Sequence, residues 1–279
     1  MKKEIEQQYL KSPLNNEMLN YKVYVPGRAE AFLVRMAGFV LGGAVGLIFY
    51  GGLFKSDGVA TTATYIANIV CFVVVGIVAS KFLMPIYIKR SLEKRRNTLK
   101  KQFRDMLESL TASFSSGSNV QGAFESAFED LKMQYEEKDY IVREMREILN
   151  GMAQNIAVEV MMKDFGFRSG NEDIESFADV FEVCYRKGGD MKSVIHRTHA
   201  IISEKMAVAD EIETKLTSNK MQHNAMSLMP IAVVALLKGT NDAFAENFAT
   251  PMGVIINTVA IGIFIAAYKY GLKIVDIKG

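Results

Sequence analysis

The chain has 279 residues, 49% of them hydrophobic and 23% charged, with a formal net charge of +2. A balance so close to neutral argues against a general polyanion binder, and two cysteines supply neither a disulfide framework nor a zinc spacing. The distinctive property is distribution: charge is nearly absent from some windows and dense in others, where a uniform soluble domain would mix both at every helical turn.

Met1 to Val25 is polar, and the first apolar run begins too late and runs too long for a cleavable leader. Residues 1–30 are expected to form a cytoplasmic N-terminal segment. Met36 to Phe54 carries no charge and is about long enough to cross a bilayer as a helix. Tyr65 to Ser80 is likewise uncharged and resumes past Lys81 through Met84, with the Lys81 stem able to snorkel toward headgroups. The link Lys55-Ser56-Asp57-Gly58 makes these two a transmembrane hairpin over 31–88. Gly38, Gly42 and Gly46 repeat every four residues on the first span, a stripe that admits close approach of another helix. Packing within the bundle and dimerisation of the whole protein both use such a stripe.

The second span is followed by Lys89, Arg90, Lys94, Arg95 and Arg96, then Lys100 and Lys101. Basic residues accumulate on the cytoplasmic side of spans, so this cluster predicts the direction of the hairpin. The cluster is a candidate surface for anionic lipid or for docking an acidic partner. Aromatic residues do not interleave with it, which argues against nucleic acid.

From Gln102 to His223 apolar residues recur at helical spacing, and 89–224 is predicted to be a cytoplasmic antiparallel helical bundle. Phe103, Met106, Leu107 and Leu110 mark one buried face; Ala123, Phe124, Ala127 and Leu131 a second; Ile141, Met145 and Ile148 a third. A shorter helix is expected from Asn155 to about Phe165, then one lined by Ile174, Phe177 and Phe181. A last, long helix starts near Asp190 and becomes charged after Met206, with Asp210, Glu211, Glu213, Lys215 and Lys220. Counted to Leu237, it would be about 70 Å long.

The turns share a device. Gly117 with Asn119, and Gly188-Gly189 with Asp190, pair a helix-closing glycine with a capping side chain for the next helix. Asn150-Gly151 followed by Asn155 is a looser third instance.

A second transmembrane hairpin is expected over 225–268. Ala225 to Leu237 is short and interrupted by Pro230, a re-entrant or core helix on length alone, while Met252 to Tyr268 is its partner across the polar loop Lys238 to Pro251. The tail 269–279 carries Lys269, Lys273 and Lys278 and is placed on the cytoplasmic side with the N-terminus. The fold class is all-α, with about four transmembrane helices.

Catalytic signatures fail. Gly188-Gly189-Asp190-Met191-Lys192-Ser193 ends in Lys-Ser but lacks the glycines a phosphate loop needs. His196 and His199, with Glu204 a turn on, have no third metal ligand at a matching spacing, and Cys184 with either histidine makes no supported nucleophile pair. No enzyme, metal or cofactor is expected. Cys71 and Cys184 read as small buried apolar residues. Asn68 and Asn257 lie inside spans, where an interhelical bond is the default and, with Arg35, a polar path for a small transporter or channel with a cytoplasmic regulatory domain is the alternative.

Two amino-terminal spans, a basic stretch, a helical domain with turns such as Ser116-Gly117-Ser118-Asn119-Val120, and two closing spans resemble the F family of type II secretion and pilus assembly systems. The most family-like stretch runs from Glu175-Ser176-Phe177-Ala178-Asp179-Val180-Phe181 through Lys187-Gly188-Gly189-Asp190-Met191-Lys192-Ser193-Val194, followed by the charged Glu204 to Lys220 helix and Met229-Pro230. One copy of the domain is similar to the single-domain Tad (tight adherence) branch. The resemblance implies a platform in the plasma (inner) membrane that couples a cytoplasmic secretion ATPase, of the CpaF-like kind, to pilin subunits. It also implies a paralogous platform protein as partner, membrane lipids around the spans, a homo- or hetero-oligomer, and no nucleic acid.

Overall fold

A computed structural model describes residues 8–53 and 61–275, except for the side chains of 213, 215–220, 223, 242 and 272–275. The expected link Lys55-Ser56-Asp57-Gly58, the tail residue Lys278, and the charged side chains of Glu213, Lys215, Lys220 and Lys273 lie outside the described residues. The chain divides into two compact units: Met1–Val25 with Ile88–Val208, and Pro26–Tyr87 with Ala209–Gly279.

Among the described residues the first unit is built from a small hairpin and six helical stretches. Strands β1 (Tyr9–Lys11) and β2 (Glu17–Leu19) pair antiparallel, with Leu10 opposite Met18. The single helix α2 (Thr62–Ser115) enters this unit at Ile88; α3 (Val120–Gln134), α4 (Tyr140–Ala153), α5 (Val158–Ser169) and α6 (Glu172–Lys187) follow, then α7 (Met191–Thr240) as far as Val208. The expected stripes converge on one core. Phe103 of α2 packs edge-on to Phe177 of α6, ring centroids 5.4 Å apart, and lies 6.0 Å from Phe165 of α5. All three rings are buried, each contributing about 1.5–3 kcal/mol of hydrophobic stabilisation.

Two details differ from the sequence reading. The fifth helix starts at Val158 rather than Asn155, because Asn155 adopts a left-handed conformation (φ 60°) and closes α4 instead of capping α5. Gly151 lies inside α4, where a Cβ would come within 2.6 Å of the Met161 sulfur, so it serves helix packing and not a turn. The third Gly–Asn turn sits elsewhere: Gly170 (φ 60°) closes α5, and the Asn171 side chain accepts a hydrogen bond from the Asp173 N–H to open α6.

The second unit contains α1 (Arg28–Tyr50), α2 up to Tyr87, α7 from Ala209, α8 (Asp242–Ala249) and α9 (Pro251–Val275). Helices α1 and α2 run antiparallel, since Gly38 faces Ser80 and Leu83 while Gly46 faces Val75. Phe39 and Phe72 meet edge-to-face between them at 5.4 Å. The expected polar loop from Lys238 to Pro251 is mostly helical. Lys238 belongs to the last turn of α7, Asn241 caps α8 by accepting from the Phe244 N–H, and the chain bends by 115° between the two helices. Pro230 stays inside α7 and Pro85 inside α2. Each lacks an N–H and so removes one ladder bond without ending its helix.

Among the described residues three helices, α1, α2 and Pro251–Gly271 of α9, are long and apolar enough to cross a membrane; the bent pair Asn224–Thr240 and Ala243–Ala249 makes a fourth if counted as one span. Their apolar side chains face outward, with Leu33, Ile69 and Ile263 each about two-thirds exposed. Water would not tolerate so continuous an apolar surface, whereas hydrocarbon solvates it.

Candidate docking surface and its support

The basic cluster does not act as one patch. Arg95 turns onto the N-terminal segment, donating through Nη1 to the Val23 carbonyl at 3.1 Å with its guanidinium 4.6 Å from the Tyr24 ring. Arg96 donates through Nε to the Tyr21 carbonyl at 3.3 Å. Lys89, Arg90 and Lys94 remain exposed on α2, with a 4.0 Å pair from Lys89 to Glu93 as their one ion pair among the described residues. Two of the five cations therefore hold the N-terminal segment in place, and three form a surface.

What Arg95 and Arg96 hold is a segment whose attachment the sequence did not announce. Tyr21 is buried, donating its hydroxyl to Glu144 Oε1 at 2.9 Å, while its backbone N–H donates to the Arg168 carbonyl. Arg168 is 1% exposed and donates to both Glu144 oxygens at 2.7 Å, to Asp164 at 2.7 Å and to the Leu19 carbonyl at 3.2 Å. Next to this cluster, Ser12 and Asn16 donate to the Glu147 carboxylate. Burial pushes the Glu144 carboxyl above its ordinary range, opposed by the Arg168 and Tyr21 donors. Burial also pulls on the Arg168 guanidinium, but Glu144 and Asp164 outweigh it and keep the group charged. The signal was present: Glu144 sits three residues after Ile141 and four before Ile148, a charge inside an apolar stripe. Arg168 stands likewise three residues after Phe165.

The turns at Gly117–Asn119 and Gly188–Asp190 each pair a left-handed glycine with a capping side chain. Gly117 (φ 88°) ends α2, and the Asn119 side chain accepts from the Gly122 N–H at 2.8 Å to start α3. Gly188 (φ 71°) ends α6, the Gly189 N–H donates to the Cys184 carbonyl at 2.8 Å, and Asp190 accepts from the Ser193 N–H at 3.1 Å. At Gly188 the left-handed backbone itself demands glycine, since a Cβ there would meet nothing within 4 Å.

An ion-pair node ties three helices of this unit. Asp173 of α6 accepts from Lys100 of α2 at 2.9 Å and from Lys205 of α7 at 2.5 Å. Burial would raise the Asp173 pKa, but the two lysines outweigh it and hold it below the ordinary 3.8. A depressed carboxylate adds stability that is complete above its unfolded pKa and is lost as pH falls through the folded one. The melting-temperature gap between wild type and Asp173→Asn is accordingly largest above about pH 5 and closes on acidification below 3.8. Scanning calorimetry over pH 3–7 checks this, and a constant gap would refute it.

In the second unit the polar groups of the spans are engaged. Asn68 accepts from the Gly52 N–H at 3.0 Å, and Asn257 donates to the Phe49 carbonyl at 3.0 Å. Lys238 donates to the Ile48 and Gly51 carbonyls at 3.0 and 2.9 Å, placing a positive charge at the C-terminal end of α1, where the helix dipole favours one. Gly38, Gly42 and Gly46 all face α2. Arg35 is exposed. Cys71 and Cys184 are half-buried rather than buried. His196 is exposed, and His199 lies 3.4 Å from the Ser203 hydroxyl. Among the described residues no three His, Cys, Asp or Glu side chains are placed to hold a metal.

No protein-family model matches the chain, and no curated protein or solved structure matches it significantly.

Proposed function

We propose that the protein is a plasma-membrane platform of a Tad or type IV-like pilus, or of a type II secretion-like machine. In this reading the helical domain lies on the cytoplasmic side, binds a secretion ATPase and passes its movement to pilin subunits in the membrane, with both termini cytoplasmic. The observation that carries the reading is the continuity of α2 and α7. Each belongs to both units without a break in its helix, so displacement of the helical domain reaches the membrane-length segments through backbone hydrogen bonds and not through a flexible linker. The reading also draws on the resemblance of the turns and the span order to the F family.

The test is co-purification of the full-length protein in non-ionic detergent with a secretion ATPase from the same organism. The expected result is retention of the ATPase, with no ATP hydrolysis by the platform alone. A folded protein that fails to retain the ATPase, or solute flux in proteoliposomes that depends on Asn68 or Asn257, would overturn it.

A further inference from the structure

We infer that Lys89, Arg90 and Lys94 form a binding site for the phosphate headgroups of anionic lipids, independent of any pilus or secretion role. Helix α2 is continuous through this region, so distance along it can be counted from its apolar part. Ile86 is half exposed, and Ile88 is the last apolar residue before the cluster. Lys89 follows directly, Arg90 is one residue on, and Lys94 is about 9 Å beyond Ile88 at about 1.5 Å per residue. The headgroup layer on each side of a bilayer is about 5–8 Å thick. Taking the hydrocarbon edge at Ile88, where the apolar run ends, places Lys89 and Arg90 within that layer and lets the Lys94 stem reach back to it.

The internal use of Arg95 and Arg96 sharpens this. A protein partner docking on five cations would find two of them already bound to the Tyr21 and Val23 carbonyls. The three that remain exposed are those nearest the apolar part of the helix, where a folded partner would have to displace lipid to reach them. Among the described residues the only acidic side chain paired with any of them is Glu93, at 4.0 Å from a Lys89 whose side chain is 68% exposed, too weak a contact to neutralise the site.

The test uses the full-length protein in lipid-free non-ionic micelles, titrated with phosphatidylglycerol or phosphatidylcholine, with bound lipid read by native mass spectrometry. Wild type is expected to prefer phosphatidylglycerol, and the combined substitution Lys89→Gln, Arg90→Gln and Lys94→Gln to weaken that binding by about 100-fold at low salt. Arg95→Gln is expected to leave lipid affinity unchanged while lowering the melting temperature. The charge-keeping exchange Lys89→Arg, Arg90→Lys and Lys94→Arg is expected to retain binding. Absence of a preference for phosphatidylglycerol in wild type at low salt would overturn the inference without recourse to any variant. So would a triple glutamine variant that keeps its lipid affinity but loses an acidic protein partner.

Discussion

Replacing Glu144 by alanine is expected to destabilise the folded chain by about 3–5 kcal/mol, because it leaves the Arg168 guanidinium buried with its main counter-charge gone. Arg168 is 1% exposed, and Glu144 receives two of its hydrogen bonds. Asp164 is engaged by Nε and the Leu19 carbonyl shares Nη1 with Glu144, so Nη1 keeps one acceptor while Nη2 is left with none. The Tyr21 hydroxyl also loses its acceptor, so the hairpin loosens together with the α4–α5 contact. Urea unfolding in non-ionic micelles, followed by circular dichroism, measures the loss. Replacing the pair together, Glu144→Leu with Arg168→Met, should recover most of it, because two apolar groups of similar volume remove both desolvation penalties. A single substitution costing under about 1 kcal/mol would show that the pair is not what fixes the hairpin.

The helices of the first unit were legible because burial imposes a period. Each of the stripes containing Phe103, Phe124, Ile141 and Ile174 lies in the core. The turns were legible where one glycine and one capping side chain carry the whole device, as at Gly117–Asn119 and Gly188–Asp190. The same rule misplaced the third turn, because Asn155 can take a left-handed backbone as well as cap a helix, and only tertiary contacts choose between the two. The hairpin was hidden for a different reason. Strands of three residues are too short for alternation to register, and what fastens them lies more than 120 residues away at Glu144 and Glu147. Among the candidate residues, the basic cluster could be found from its composition, but its division could not. Whether an arginine faces outward or onto a backbone carbonyl depends on where residues 21–23 run, and no local pattern encodes that path.

The second large effect concerns the glycine stripe. Gly42→Ala is expected to destabilise the α1–α2 hairpin by about 1–3 kcal/mol, and Gly42→Leu to prevent its packing. A Cβ on Gly42 would sit 2.3 Å from the Ala79 Cβ and 3.2 Å from the Val75 carbonyl, while carbon atoms in contact prefer about 3.5–4.0 Å. Neither obstacle can rotate away: one is a methyl fixed to the backbone, the other backbone itself. The helices must therefore separate, which also opens the Phe39–Phe72 contact and the approach of Gly76 to the Phe39 carbonyl. Gly262→Ala on α9 is the matched control, for nothing lies within 4 Å of its would-be Cβ, and alanine there gains helix propensity. The decisive variant moves the methyl across the interface. Gly42→Ala combined with Ala79→Gly removes the closest clash, so its melting temperature in non-ionic micelles should return most of the way to wild type. If the double variant is no more stable than Gly42→Ala alone, the close approach of these two helices is not what the glycine serves.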